Sequence, residues 1–360
     1  MSKYAYWLSR VEGMSSNRIA RIRMVCGTAE EIYGLTEKEL EKISGLREKD
    51  IHALTESRRT WNLEQEWGML QESGMNFVSL EDAWYPKKLE QIVNAPYALY
   101  YRGHLPDDKK KSVAIVGART RSAYGSQIAG QLAKSLAQAG VEVISGMAYG
   151  IDTDGHKGAL DGGGQTFAVL GCGADVCYPK SNAYLYEKIQ KEGGILSEFA
   201  PKTQPLPAYF PQRNRIIAGL SDYTVVIEAR LKSGSLITAD YAVEQGREVY
   251  ALPGRVTDAL SQGCNALIQQ GAGVITSVEE FLGELHLDTG NTVSQTNFHK
   301  LLLEKDEVLV YALFDLRPIG LGTMVEKSPF GLAELLDILE RLEQKGFIKE
   351  TIPNFYVKTI

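Results

Sequence analysis

Along the first 75 residues, apolar side chains recur every three or four positions in short stretches broken by Gly13, Gly27, Gly34 and Gly45. This spacing predicts helices over residues 4–10, 16–24, 29–33, 37–43, 49–55 and 63–72, a small helical domain covering 1–75. Within it, Leu40 to Ile51 has the helix, glycine turn, helix pattern of a helix-hairpin-helix, whose turn can offer backbone N–H groups to a DNA phosphate. A plain interhelical turn has the same pattern, and 11 basic against 12 acidic residues in this domain favour that plainer reading.

A connector follows, with Trp84-Tyr-Pro86, Asn94-Ala-Pro-Tyr97 and the charged run Asp107 to Lys111. From Ser112 the pattern changes to short β-branched runs separated by amphipathic stretches: residues 113–116, 141–144, 166–170, 194–197, 224–227, 248–252 and 273–275. Apolar runs of four or five residues alternating with helices are the mark of a parallel sheet covered on both faces. The expected fold is therefore α/β, with a Rossmann-like doubly wound core in a domain spanning 76–290. Residues 288–297, rich in Thr, Asn and Ser, read as a linker. Beyond it, two helices (305–314, 330–345) and two short strands (346–350, 354–358) follow the plan of a winged helix, over 291–360. Its 8 basic and 10 acidic residues from Thr296 onward are the wrong balance for a major-groove reader.

Composition narrows the picture. The chain has 360 residues, 44% of them hydrophobic, and a net charge of -6, an ordinary globular balance that excludes a disordered or collagen-like chain. No apolar stretch is long enough to span a membrane and the first ten residues resemble no signal peptide, so the expectation is a cytoplasmic protein with no membrane partner. Cys26, Cys172, Cys177 and Cys264 form no CxxC pair and have no His at ligand spacing, which points to reduced thiols and no metal. Glycine is the skewed residue: 24 of the 35 fall between Ser112 and Gly290.

Those glycines sit in loops at the carboxyl ends of the expected strands, where open parallel sheets bind ligands. After the first strand comes Gly117-Ala118-Arg119-Thr-Arg-Ser122-Ala-Tyr124-Gly125, a tight turn with a bidentate cation and a helix N-terminus, suited to a phosphate. It matches neither GxGxxG nor a Walker A loop. After the second strand, small residues at Ser145, Gly146, Ala148 and Gly150 would let an anion reach main-chain N–H groups. Asp152 and His156, four apart on one helix face, are either an acid/base pair or an ion pair holding the loop; the lack of a nucleophile favours the structural role. Further on, Tyr178 and Lys180, then Phe210 with Arg213, Asn214 and Arg215 at an expected helix start, and Ser233-Gly234-Ser235 add cations, aromatics and another small-residue nest to the same edge. Cations mixed with aromatics and no base-edge code suit a single strand bound with little sequence preference.

The succession VAIVGAR, SGMAYGID…HKGAL, AVLGCGADVCYPK, LSEF…FPQRNRIIAGL, SGSLITA and VYALPG closely resembles the DNA-processing protein A family, also called Smf, over about residues 85–280. The resemblance implies a non-enzymatic protein without cofactors that binds single-stranded DNA, dimerises through its core, and hands transforming DNA to the recombinase RecA. It implies that Gly117, Arg119, Ser122, Ser145 and Gly146 hold the DNA backbone, while Lys180 and the Phe210 to Arg215 motif line the same pocket. The family usually has Ser where this chain has Ala118, which removes one hydroxyl donor. The core is also similar to nucleotide phosphoribohydrolases, whose PGGxGTxxE loop carries a catalytic Glu. The matching stretch, Ser233 to Asp240, has no Glu and only Asp240 as an acid, so hydrolysis is disfavoured. A transcription regulator acting through the winged helix is disfavoured by that module's acidity.

Overall fold

The computed structural model describes residues 2–285, 303–314 and 318–358. The expected linker at 288–297 lies outside the described residues. The chain forms two compact units, one of residues 1–121 and 128–287, the other of 122–127 with 288–360.

In the first unit, nine strands make one sheet: β1 (Asn76–Ser79), β2 (Ala98–Gly103), β3 (Ser112–Val116), β4 (Glu142–Ser145), β5 (Thr166–Val169), β6 (Gly194–Ser197), β7 (Tyr223–Val226), β8 (Glu248–Ala251) and β9 (Gly273–Val274), in the order β1-β2-β6-β5-β4-β3-β7-β8-β9. Strands β3 to β9 pair in parallel, and every residue of β3, β4, β5 and β6 is buried, as helices on both faces require. The connector contains more than a turn: β2 pairs antiparallel with β6, and β1 pairs antiparallel with β2 to form the sheet edge. Their runs Phe77-Val78 and Leu99-Tyr100-Tyr101 are only two and three residues long, too short for a periodicity to show.

Six helices precede the sheet: α1 (Lys3–Arg10), α2 (Ser16–Cys26), α3 (Ala29–Gly34), α4 (Glu37–Glu41), α5 (Glu48–Thr60) and α6 (Leu63–Glu72). Trp7, Leu8, Ile32, Leu40 and Leu54 share one apolar core with Phe77, Tyr100, Leu170 and Ile195 of the sheet layer. Tyr6 meets Phe77 edge-on at 5.5 Å between ring centroids. Each of these large side chains removed from water contributes on the order of 1.5–3 kcal/mol, so the helices are held by the sheet as well as by one another.

Between the strands run α7 (Lys87–Glu90), α8 (Ala123–Gln138), α9 (Ile151–Asp161), α10 (Ala183–Glu192), α11 (Tyr209–Gly219), α12 (Gly234–Glu244), α13 (Gln262–Gln269) and α14 (Val278–Glu284). The chain leaves β3 toward β4 and β7 toward β8, in opposite directions, so adjacent β3 and β7 flank the topological switch point, where doubly wound sheets open a crevice. A side chain on Gly158 of α9 would fall 2.2 Å from the carbonyl oxygen of Gly130 in α8, so bare backbone lets these two helices touch.

The second unit has α15 (Lys305–Tyr311), α16 (Leu321–Lys327), α17 (Leu332–Gln344), β10 (Ile319–Gly320), β11 (Ile348–Ile352) and β12 (Phe355–Lys358), with sheet order β10-β12-β11. Val310, Met324, Leu335, Ile338, Leu342 and Phe347 form its core. Helix α16, with Gly322 in its first turn, was not expected from the pattern.

Candidate nucleic-acid interface

Beyond the carboxyl ends of β3 and β7 the first unit opens a cavity of about 430 Å³. Its walls are Gly117 and Arg119 after β3, Ala148 and Asp152 after β4, Tyr178, then Phe210, Arg213 and Asn214 of α11, and Ser233, Gly234 and Ser235 at the start of α12. Arg119 is exposed, with its guanidinium 5.6 Å from the centre of the Phe210 ring. Tyr178, 40% exposed, lies 5.6 Å from the same ring. Gly171 makes this possible, since a side chain there would meet Phe210 at 2.9 Å. Exposed aromatic faces next to an arginine are the parts of a base-stacking platform.

Arg213 is the cation at depth. It is only 5% exposed, donates to the Val169 carbonyl and has no partner at Nε. Burial lowers its pKa to about 10, with Asp152 acting in the opposite direction, so it stays protonated at neutral pH. Gly146 exists to admit it: a side chain at 146 would sit 2.1 Å from Nη1 of Arg213. Helix α12 completes the site. Ser233 caps it, no acid occupies its first turn, and its positive end faces the cavity through Gly234 and Ser235. Asn214 fixes this start by donating to the Gly234 carbonyl at 3.1 Å.

Several of the expected contact residues lie elsewhere than in the cavity lining. Ser145 is buried and donates to the Ile115 carbonyl at 2.6 Å, so it does not reach a ligand. The N–H groups of Gly146 and Ala148 are already given to the Asp152 carboxylate, at 3.1 and 3.4 Å: the second anion nest is filled by the chain itself. Gly150, at φ 77°, starts α9, and a side chain there would collide with the carbonyls of Ala118 and Arg119. Ala118, nearly buried, accepts from the Ile151 N–H at 3.2 Å. Arg213, Asn214 and Arg215 fall inside α11 rather than at its start. Arg215 turns away from the cavity to pair with Glu198 at 2.7 Å and to donate to the Asn94 carbonyl. Lys180 is exposed on the short turn Lys180–Asn182 and stands outside the lining. Ser122, Tyr124 and Gly125 group with the second unit, where Ser122 Oγ accepts from the Gly125 N–H at 3.0 Å.

Asp152 and His156 do not bond to each other. Burial raises the Asp152 carboxyl even though Arg213 opposes this, while burial lowers His156 to about 3, and the latter's Nδ1 lies 2.6 Å from Thr166 Oγ1. That hydroxyl donates to the Val143 carbonyl, so it accepts from His156. The ion pair expected between them is absent: Asp152 alone holds the loop, through the Gly146 and Ala148 amides, while His156 fastens α9 to Thr166 of β5. All four cysteines are free, and burial pushes the thiols of Cys172 and Cys264 up to about 12. Among the described residues, no cluster of three or more His, Cys, Asp or Glu is placed to hold a metal, and no helix is long and apolar enough to cross a membrane.

Some side chains at this edge went unnoticed in the sequence. Tyr149, 50% exposed, and Lys157 line an outer hollow with Arg119, Arg121 and Asn182. Arg121 is tied to Asp154 there. Arg230 and Lys232 are exposed immediately before the Ser233 cap; two cations leading into a small-residue turn were the available signal. A larger open cleft of about 830 Å³ at the β8–β9 edge holds Asp240, Glu244 and Glu248 against Arg247, a charge balance that repels phosphate. Asp240 lines that cleft and not the switch-point cavity.

Fold and cavity define a doubly wound α/β protein with a cationic, aromatic-walled cleft at its switch point. Residues 76–286 match the family model described as DNA recombination-mediator protein A, and the chain belongs to that family. It is 46% identical over 206 residues to the DNA processing protein DprA of Streptococcus pneumoniae, covering 57% of this chain and 73% of that one. It is 34% identical over 333 residues to the protein Smf of Escherichia coli, covering 90% and 85%. The X-ray structure of the S. pneumoniae protein superposes with a TM-score of 0.71 at 36% identity, over 79% of this chain and 98% of that one. A Helicobacter pylori DNA processing protein A, whose structure is described in terms of a single-stranded DNA binding mode, superposes at 0.53 with 31% identity, over 59% and 96%. The family's description is that of a recombination mediator and not of an enzyme.

Proposed function

We propose that this protein binds single-stranded DNA across the carboxyl edge of its parallel sheet, with Arg119 and Arg213 and the start of α12 facing phosphates and Tyr178 and Phe210 facing bases. The observation that carries the reading is the convergence, in one cavity, of a deep and a shallow arginine, a helix N-terminus and two adjacent aromatic rings tilted by 33° to each other. A single strand offers just such alternating anionic and π-faced units. The strand-binding description of the H. pylori relative supports the reading. Gly117 supports the site indirectly, as a side chain there would collide with Ile151 at 2.7 Å.

In this reading the protein works as a homodimer through its core and passes the strand to RecA during transformation and recombination, as the family resemblance implies. The second unit, with three helices and a small antiparallel sheet among the described residues of 303–358, is a winged helix in this proposal, but not a duplex reader. Its long helix α17 exposes Glu334, Asp337, Glu340 and Glu343, four carboxylates that a phosphate backbone would repel. The test is RecA filament formation on a single strand with and without the full-length protein. Acceleration that disappears with Arg119→Ala supports the handover, and no effect of the protein contradicts it.

A further inference from the structure

The switch-point cavity has the size of one nucleotide unit rather than of a run of them, since pockets for single small ligands span about 300–1,000 Å³ and this one measures about 430 Å³. Its polar parts are arranged for a terminal phosphate. The first turn of the eleven-residue helix α12 carries no acid, and Gly234 puts nothing between the helix start and the cavity. Facing it, Arg213 is nine-tenths buried and retains an unpartnered Nε. That Nε is sealed from solvent, so an anion would meet the guanidinium as a charge: Arg213 lines the cavity and forms no ion pair among the described residues, and an anion there would offset its buried charge. The Tyr178 and Phe210 rings stand on the same wall at base-stacking reach of each other.

We propose that this cavity binds a free nucleoside 5′-monophosphate as a ligand in its own right, its phosphate between α12 and Arg213 and its base on the Tyr178–Phe210 wall. The inference rests on the strand-binding reading in using the same contacts, and it adds that none of them requires the phosphodiester link to a neighbouring nucleotide. The reaction class that supplies this ligand is phosphodiester hydrolysis: the P–O3′ bond breaks, the oxygen of one water joins the phosphorus, and a proton of that water goes to the 3′-hydroxyl left on the preceding nucleotide. Mononucleotides released by strand degradation therefore compete with intact strand for the site.

The test is calorimetric titration of the full-length protein with thymidine 5′-monophosphate, thymidine and inorganic phosphate, alongside displacement of a labelled oligothymidylate by the monophosphate. The expected result is that the monophosphate binds at least about tenfold more tightly than either fragment and displaces the oligonucleotide. Gly234→Glu places a carboxylate at the helix start in open space, where it suits the helix dipole and spares the fold, and it should weaken the monophosphate at least about tenfold at an unchanged melting temperature. Binding no tighter than that of phosphate alone, or equal binding to the Gly234→Glu protein, overturns the inference. Retained oligonucleotide binding without monophosphate binding overturns it while sparing the strand reading. Monophosphate binding without oligonucleotide binding upholds it and overturns the strand reading instead.

Discussion

A single methyl group at position 146 would sit 2.1 Å from the Arg213 guanidinium, so Gly146→Ala must move the deep cation. The expected outcome is at least a tenfold loss of single-strand affinity, read by fluorescence anisotropy, with a secondary structure that circular dichroism finds unchanged. Arg119→Ala, which removes an exposed cation, should weaken binding several-fold at an unaltered melting temperature. Arg215→Ala should do the reverse: it breaks a half-buried pair with Glu198, so thermal stability falls by on the order of 1–2 kcal/mol while strand affinity holds. If Arg215→Ala lost affinity as severely as Arg119→Ala, the cavity would be misplaced. The sequence could not separate these two arginines, because both stand in one motif and only the helical turn of α11 points one inward and the other away. It also could not show that Asp152 occupies the Gly146 and Ala148 amides, a contact between residues on either side of the β4–α9 turn.

At the scale of elements, the parallel strands were legible because each is a short apolar run buried on both faces. Strands β1 and β2 were not, since an edge addition of mixed polarity leaves no such run. The glycine skew divides accordingly. Gly146 makes room for Arg213 and Gly150 for the carbonyls of Ala118 and Arg119, next to the cavity, whereas Gly158, Gly162 and Gly164 make room for α8. Two buried titratable groups on the β4–β5 layer give the fold opposing pH responses. Burial raises Glu142, at the start of β4, from 4.5 to about 7, so the fold favours its protonated form. The stability it contributes is full below about pH 4.5 and is lost as the pH rises through 7. His156, lowered from 6.5 to about 3, contributes stability above pH 6.5 that is lost as the pH falls. Glu142→Gln should therefore stabilise the protein relative to its parent increasingly from pH 5 to pH 8, by on the order of 2–3 kcal/mol at the upper end. Melting curves across that range check it, and a pH-independent difference would show that Glu142 is not held protonated by the fold.

For the molecule as a whole, a net charge of -6 is reconciled with a nucleic-acid ligand by where the charges sit. Arg119, Arg213, Arg230 and Lys232 gather at one sheet edge, while the β8–β9 cleft and the outer face of α17 are acidic. Such a surface admits a strand in one place and repels it elsewhere, a pattern that total charge conceals. The proposed dimer is checked by light scattering, which should give about twice the 39.8 kDa of one chain at micromolar concentration. The most direct test of the central claim compares a labelled oligothymidylate with a duplex of equal length by anisotropy over increasing salt. The account predicts binding to the single strand at least about tenfold tighter, with a log–log salt slope of about -2 to -3 that Arg119→Ala makes shallower by about 0.7. Equal affinity for strand and duplex, or a single-strand affinity indifferent to salt, would contradict it.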